Sequence, residues 1–345
     1  MRQRPSCEPR ASVDLGDKVA ALSNPDAYPE MPSRVDRVET HKSWVFLTDS
    51  RAYKLKKPMR YNAVDLQSLE RRRQNCREEV RLNRRLALDV YLGIAPLTAD
   101  EQGRLAVDGL GEVVDWLVVM RRLPAEQMLD DLIRCGALNE ADVSAVARLL
   151  SAFYRQLPPV GITPVEYRER LRADILMNRE EIARATYNLP GNTVQRVHET
   201  QLTLLAEQPL LFATRVSEGR VVEGHGDLRA SHVCLEEPPV IFDCLEFDRD
   251  LRIVDAADEL AFLALECERL GAGWVGPLLF ADYERLTSDR PPRQLVDFYK
   301  SYRACVWARL ALWRTHEIEK SGWSKWVSRA NEYLHLAEHY SRDLQ

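Results

Sequence analysis

The chain has seven cysteines among 345 residues but no C-x-x-C pair, so neither a zinc ribbon nor a dithiol redox motif is indicated. They are scattered as Cys7, Cys76, Cys135, Cys234, Cys244, Cys267 and Cys305. Cys267 and Cys305 sit in apolar runs and read as buried free thiols of a reducing compartment. No apolar run reaches the roughly 18 residues that a membrane span needs. The polar stretch from Met1 to Ser12 lacks the apolar segment of a secretory signal. A cytoplasmic protein with no membrane partner is expected. No G-x-x-x-x-G-K-[ST] occurs, which excludes a P-loop. A large charge of one sign is missing too: the net formal charge of −5 gives no reason to expect a nucleic-acid partner. The arginine run from Arg71 to Arg85 is interleaved with acidic residues and reads as a solvated helix face.

What is present is the composition of a globular protein, 45% apolar and 29% charged, in a chain long enough to divide into two lobes. Residues 1–32 read as a tail and a short helix, Val13 to Ser23, ended by Asn24-Pro25. Val35–Val38, Trp44–Leu47 and Ala52–Lys56 read as strands, the last two joined by a turn at Asp49-Ser50. A charged helix follows from about Asp65, a plausible N-cap, to Ala87. Leu105–Val107 and Val113–Met120 read as a hairpin across Asp108-Gly109. Beyond Pro124 the pattern is helical, over Met128–Ile133, Asn139–Gln156, Pro164–Thr186, Val194–Phe212 and Phe298–Trp313. A β island over residues 221–247 interrupts it. Segregated elements of this kind give an α+β fold, with a strand-rich small lobe over 33–123 and a mainly helical lobe over 124–345.

The chemistry concentrates in the island. Val221-Val222-Glu223-Gly224-His225-Gly226-Asp227-Leu228-Arg229 leads into Val233–Leu235. After the turn Glu236-Glu237-Pro238-Pro239 the chain runs Val240-Ile241-Phe242-Asp243. A hairpin would bring Asp227, before the first strand, and Asp243, at the end of the second, to one edge. Two such carboxylates suit one task, in which one orients a hydroxyl and takes its proton while the other holds Mg²⁺ against phosphate oxygens.

His225-Gly226-Asp227-Leu228-Arg229 resembles the catalytic loop of the aminoglycoside phosphotransferase family, a branch of the protein-kinase-like superfamily. Thr40-His41-Lys42-Ser43-Trp44-Val45-Phe46-Leu47, Tyr53-Lys54-Leu55-Lys56-Lys57-Pro58, Asp255-Ala256-Ala257-Asp258-Glu259-Leu260-Ala261 and Phe298-Tyr299-Lys300-Ser301-Tyr302-Arg303-Ala304 extend the likeness. They resemble a bacterial subgroup of that family, some of whose members carry a second, P-loop kinase domain. The resemblance runs from about residue 13 to about 310. It implies a bilobal kinase-like fold, with a small β-rich N-lobe carrying one long helix and a larger, mainly helical C-lobe. It also implies an ATP- and Mg²⁺-dependent transfer of phosphate to a small-molecule hydroxyl.

Carried onto this chain, the resemblance makes Asp227 the catalytic base and Asp243 the metal ligand. Arg229 becomes the cation that steadies the transferred phosphoryl group. The phosphate lysine falls on Lys54 or Lys56, which strand alternation puts on one face. Its helix partner falls on Glu79, which shares a face with Leu82 and Leu86, or on Glu78. The backbone from Val118 to Met120 would meet an adenine edge. Ser43 and His41 would lie on the turn that covers phosphates, although no glycine occurs there. His232 stands where the family has a metal-binding Asn; an imidazole accepts Mn²⁺ more readily than Mg²⁺. That departure opens a second reading, a pseudokinase or nucleotide-binding regulatory module. A third makes His225, Asp227, His232 and Asp243 ligands of a hydrolytic metal. The acceptor and the oligomeric state are not legible.

Overall fold

The computed structural model describes residues 13–61 and 64–344. Cys7 and the polar stretch from Met1 to Ser12 lie outside them. The chain forms two compact units, one from the chain up to Pro124 together with Ile241–Asp248, the other from Ala125–Val240 and Arg249–Gln345.

In the first unit the helix Leu15–Leu22 (α1) precedes three strands, Asp36–Glu39 (β1), Ser43–Leu47 (β2) and Arg51–Lys56 (β3). The two-residue strands Arg60–Tyr61 (β4) and Val64–Asp65 (β5) pair as a ribbon. Helix Leu69–Asn83 (α2) follows, then Tyr91–Ala99 (β6), Leu105–Val107 (β7) and Glu112–Arg121 (β8). The six longer strands make one antiparallel sheet in the order β1-β2-β3-β8-β6-β7. Its apolar face, with Phe46, Tyr53, Leu55, Leu97, Leu117 and Val119, buries Val19 and Leu22 of α1. The short N-terminal helix therefore belongs to the sheet. Its Lys18 reaches the buried Asp115 of β8 at 2.8 Å, where Arg72 of α2 also pairs at 2.7 Å.

One strand is new here and two expectations are corrected. The nine-residue strand β6 was not legible, because Gly93 and Pro96 break its alternation; β6 accommodates them with register shifts at Tyr91/Gly93 and Leu97/Thr98. Leu105–Val107 does not pair with Glu112–Arg121 across Asp108-Gly109; both pair with β6, on opposite sides. Helix α2 starts later than Asp65, because Ser68 is the N-cap and accepts from the Arg71 N–H. Asp65 instead closes a local turn on the Gln67 N–H at 3.1 Å.

The second unit is mainly helical. Its helices are Leu129–Arg134 (α3), Glu140–Gln156 (α4), Pro164–Ile182 (α5), Gly191–Glu207 (α6), Pro209–Ser217 (α7), Ala256–Arg269 (α8), Val275–Thr287 (α9), Arg293–Trp313 (α10) and Trp323–Arg342 (α11). The expected single helix over Val194–Phe212 is two, because Pro209 has no N–H to continue the ladder and opens α7 as its N1 residue. One core joins α6, α8, α10 and α11 around Val197, Phe262, Ala308 and Tyr333. A second joins α5, α6, α7 and α10 around Leu171, Leu204, Phe212 and Phe298. The β island is mostly irregular backbone. Strand Val221–Glu223 (β9) pairs antiparallel with Ile253–Asp255 (β12), and Val233–Cys234 (β10) and Val240–Ile241 (β11) are two residues each.

Candidate functional site

In the first unit, β3 lies between β2 and β8, and the two-residue strand period turns Lys54 and Lys56 to the same side. Both reach Glu79 of α2: Lys54 at 2.8 Å, and Lys56 through the second carboxylate oxygen. Glu79 is fully buried, whereas its neighbour Glu78 pairs with Arg81 on the outer face of the helix. Lys54 also donates to Asp243 at 2.6 Å, and Lys56 to Glu246. Two ammonium groups thus face three carboxylates. Burial pushes the Lys54 ammonium down, but Asp243 and then Glu79 outweigh it, and the net shift is well upward. Burial raises Glu246, and Lys56 with Lys54 overcomes it, so this carboxyl titrates below its ordinary range. Lys54 and Lys56 stay charged, and each has its own second carboxylate. The Asp243 side chain, 40% exposed, is the most accessible acid of the group.

Asp243 holds a left-handed backbone, φ +61°, which Asp tolerates better than most residues. Its N–H donates to the Tyr91 hydroxyl at 3.2 Å, and the next N–H, of Cys244, donates to Asn83 Oδ1 at 2.9 Å. Asn83 in turn donates to the Glu79 carbonyl. The end of α2 therefore sets both the lysine's partner and the backbone that presents Asp243.

Two further candidates are placed otherwise than expected. Ser43 is not on an exposed turn: it is the first residue of β2, 1% exposed. Its N–H is held by the Thr40 hydroxyl, and its carbonyl by the Thr40 N–H and hydroxyl. The backbone at Val118 and Met120 is part of the sheet, since β8 is bonded on both sides, Val118 opposite Lys54 and Ile94, and Met120 opposite Ala52 and Tyr91. A central strand uses its N–H and C=O groups in the ladders, so those residues have no polar edge left for a base. Met120 contributes only a buried side chain. Backbone without a partner among the described residues comes later, at Leu123.

In the second unit the loop after β9 wraps around one buried acid. Glu259 of α8 accepts from the N–H groups of His225, at 2.8 Å, and Gly226, and from the Tyr154 hydroxyl at 2.9 Å. Burial raises its carboxyl above the ordinary value, although both N–H groups and Tyr154 oppose the shift. Two glycines make this approach feasible. A Cβ on Gly224 would lie 2.4 Å from Glu259 Oε2, and Gly226 has φ +87°. His225 Nδ1 accepts from the Asp227 N–H at 3.3 Å. The Asp227 carboxylate stands 3.5 Å from Arg229 Nε, and the Arg229 guanidinium lies over the Trp307 ring, 4.4 Å from its centroid.

His232 has partners other than a metal. Its Nδ1 is 2.9 Å from the Asp227 carbonyl, which can only accept, so Nδ1 carries the proton; Nε2 then accepts from Arg229 at 3.0 Å. The imidazole ties Asp227 to Arg229, and neither nitrogen is turned to an ion. Among the described residues no group of three or more His, Cys, Asp or Glu is arranged as a metal site.

Sequence reasoning gave no role to Glu259, Glu246, Tyr91 or Asn83. Glu259 lies inside the Asp255–Ala261 stretch, and its position there was the available signal. Glu246 follows Asp243 by three residues. Nothing in the sequence marks Tyr91 or Asn83. A G-x-G-x-x-G does occur, Gly271 to Gly276, but it joins α8 to α9, with no strand before it, and so lacks the context of a phosphate loop.

The profile of the phosphotransferase enzyme family (APH) matches residues 45–298. Uncharacterised proteins of Mycobacterium tuberculosis and Mycobacterium bovis are 33% identical over 286 residues, which cover 80% of this chain. This chain spans 54% of their length. Among solved structures, a choline/ethanolamine kinase family protein from Mesorhizobium loti superposes with a TM-score of 0.53 at 15% identity, covering 94% of this chain and 99% of that one. Choline kinase LicA from Streptococcus pneumoniae superposes with a TM-score of 0.52 at 15% identity, covering 93% and 97%. These superpositions show that this chain shares the fold of those two proteins, and the profile match over most of the sequence shows that it belongs to the phosphotransferase enzyme family.

Proposed function

We propose that this protein transfers phosphate from Mg²⁺-bound ATP to a hydroxyl of a small molecule. The observation that carries the reading is Lys54, held between Glu79 at 2.8 Å and Asp243 at 2.6 Å. A buried helix glutamate orients the ammonium, and a half-exposed aspartate shares it. That is the donor set a polyphosphate with a hard cation requires. Bound Mg-ATP would supply the phosphoryl group and the charge that a divalent ion neutralises. Lys54 would hold phosphate oxygens, and Asp243 would ligate the metal. The excess carboxylate of the five-member cluster suits a cation there, whereas His232 does not fit as a ligand. Asp227 would orient the acceptor hydroxyl and take its proton. Arg229, fixed by Trp307 and His232, would offset negative charge as transfer proceeds. LicA, which shares the fold, has been crystallised with AMP. We place the protein in the cytoplasm; among the described residues no helix is long and apolar enough to cross a membrane.

Asp227→Ala tests the assignment. ATP turnover should vanish while the melting temperature stays within a few degrees, and an ATP-consuming Asp227→Ala protein would refute the base. The engagement of both His232 nitrogens supports a second reading, nucleotide binding with little transfer. Thermal stabilisation by ATP, with no transfer across a broad panel of hydroxyl acceptors, would favour that one.

A further inference from the structure

Two lysines on one face of β3 share a single acid. Lys54 and Lys56, the last residue of the strand, each take their own oxygen of Glu79, Lys54 at Oε1 and Lys56 at Oε2. Each also has an acid of its own from the Ile241–Asp248 segment, Asp243 for Lys54 and Glu246 for Lys56. In both cases that acid acts more strongly than the shared one. Asp243 raises the Lys54 ammonium more than Glu79 does, and Glu246 does the same for Lys56.

The two pairs differ in access. The Lys54 side chain is 13% exposed and that of Asp243 40%, whereas Lys56 is 1% exposed and Glu246 9%. A phosphate can displace Asp243 from Lys54, but the Lys56–Glu246 pair is closed to a ligand. Lys56 is therefore not a second phosphate lysine. Once Asp243 has left Lys54 for a metal, Glu79 is the acid that still holds Lys54. A carboxylate that turns both oxygens to one ammonium draws it in and neutralises it. A carboxylate with one oxygen held by a second ammonium still orients the first, but leaves it more of its charge.

We propose that Lys56, held by Glu246, is a positioning residue of the nucleotide site: it occupies the second oxygen of Glu79, so that Glu79 aims Lys54 at the polyphosphate without neutralising it. This rests on the nucleotide-binding reading above, and it gives Lys56 no contact with the ligand.

The test is the affinity of the full chain for Mg-ATP, measured by calorimetry below the melting transition of every variant. Lys56→Met combined with Glu246→Met removes the buried pair as a unit, a change that is often neutral for stability, so the melting temperature should stay within a few degrees. Mg-ATP binding should weaken by on the order of tenfold, the worth of one charge-assisted hydrogen bond, because both oxygens of Glu79 then close on Lys54. Lys56→Gln with Glu246→Gln, a neutral pair in the same place, should show the same loss and replaces the methionine pair if that one does not fold. Glu79→Gln distinguishes positioning from packing. It should weaken Mg-ATP binding by itself, and removing the Lys56–Glu246 pair in that background should weaken it no further, because the route runs through Glu79. Parent-like Mg-ATP affinity in the pair variants overturns the proposal. So does a loss that adds in full to that of Glu79→Gln, which requires a route to the ligand other than Glu79. Lys54→Met separates the two levels. If it binds Mg-ATP as the parent does, the nucleotide site falls and Lys56 with it. If it loses Mg-ATP while the pair variants do not, only Lys56 falls.

Discussion

His198 is fully buried in α6, and its Nδ1 donates to the Val194 carbonyl at 2.6 Å. Burial, aided by the charge of Arg179, holds its pKa down from 6.5 to about 4. The unfolded chain takes up a proton near the ordinary value, and the folded chain resists until about 4. The stability contributed by a neutral His198 is therefore complete above pH 6.5 and lost as pH falls toward 4. The full swing is roughly 3 kcal/mol. In urea titrations between pH 7 and pH 4, His198→Gln should show a flatter decline than the parent by about that amount. Parallel curves would remove the assignment. Glu79 gives a second test. Glu79→Ala leaves Lys56, 1% exposed, with Glu246 alone, and removing one partner of a buried ion pair costs about 3–5 kcal/mol. A denaturation midpoint within experimental error of the parent would show that the cluster relaxes without penalty.

The loop from His225 to Asp227 is the element most legible in the sequence and the one most dependent on a residue not read from it. His225-Gly226-Asp227 could be identified because its chemistry is local, a short run with fixed residue types. The support from Glu259 was not, since it comes from α8, more than thirty residues further on, through contacts that no period or spacing encodes. The same contrast runs through the small sheet. Alternation marked β2 and β3, and placed Lys54 and Lys56 on one face. It failed for β6, where a glycine and a proline are absorbed by register shifts, and so the order β8-β6-β7 could not be derived. The glycine before the loop makes the dependence on Glu259 testable. In Gly224→Ala the new methyl meets Glu259 Oε2 at 2.4 Å and Cδ at 2.8 Å, so either the loop or the carboxylate must move. The N–H groups of His225 and Gly226 then lose their acceptor, a cost of about 1–3 kcal/mol. Hydrogen exchange should show lost protection at those two amides, together with a lower melting temperature. Protection equal to the parent's would mean that the acid tolerates the methyl.

At the scale of the whole molecule, the chain does not divide once. It leaves the sheet-bearing unit after Pro124 and returns to it for Ile241–Asp248. That return supplies Asp243 and Glu246, two of the three carboxylates that neutralise Lys54 and Lys56, and the Cys244 N–H that Asn83 accepts. A boundary drawn at residue 123 from the order of strands and helices does not include this return, because the returning segment is only eight residues long and lies within the β island. Residues 1–124 produced alone contain every strand of the six-stranded sheet and α2, but folding them would set two inward-facing ammonium groups against the single carboxylate of Glu79. An ammonium buried without its partner costs several kcal/mol, a large fraction of the 5–15 kcal/mol by which a domain is ordinarily stable. Such a fragment should show no cooperative thermal transition by circular dichroism at pH 7, and Lys56→Met should restore one by removing the more deeply buried charge. A fragment that melts cooperatively without that substitution would mean that the Ile241–Asp248 segment contributes chemistry to the unit but not its stability.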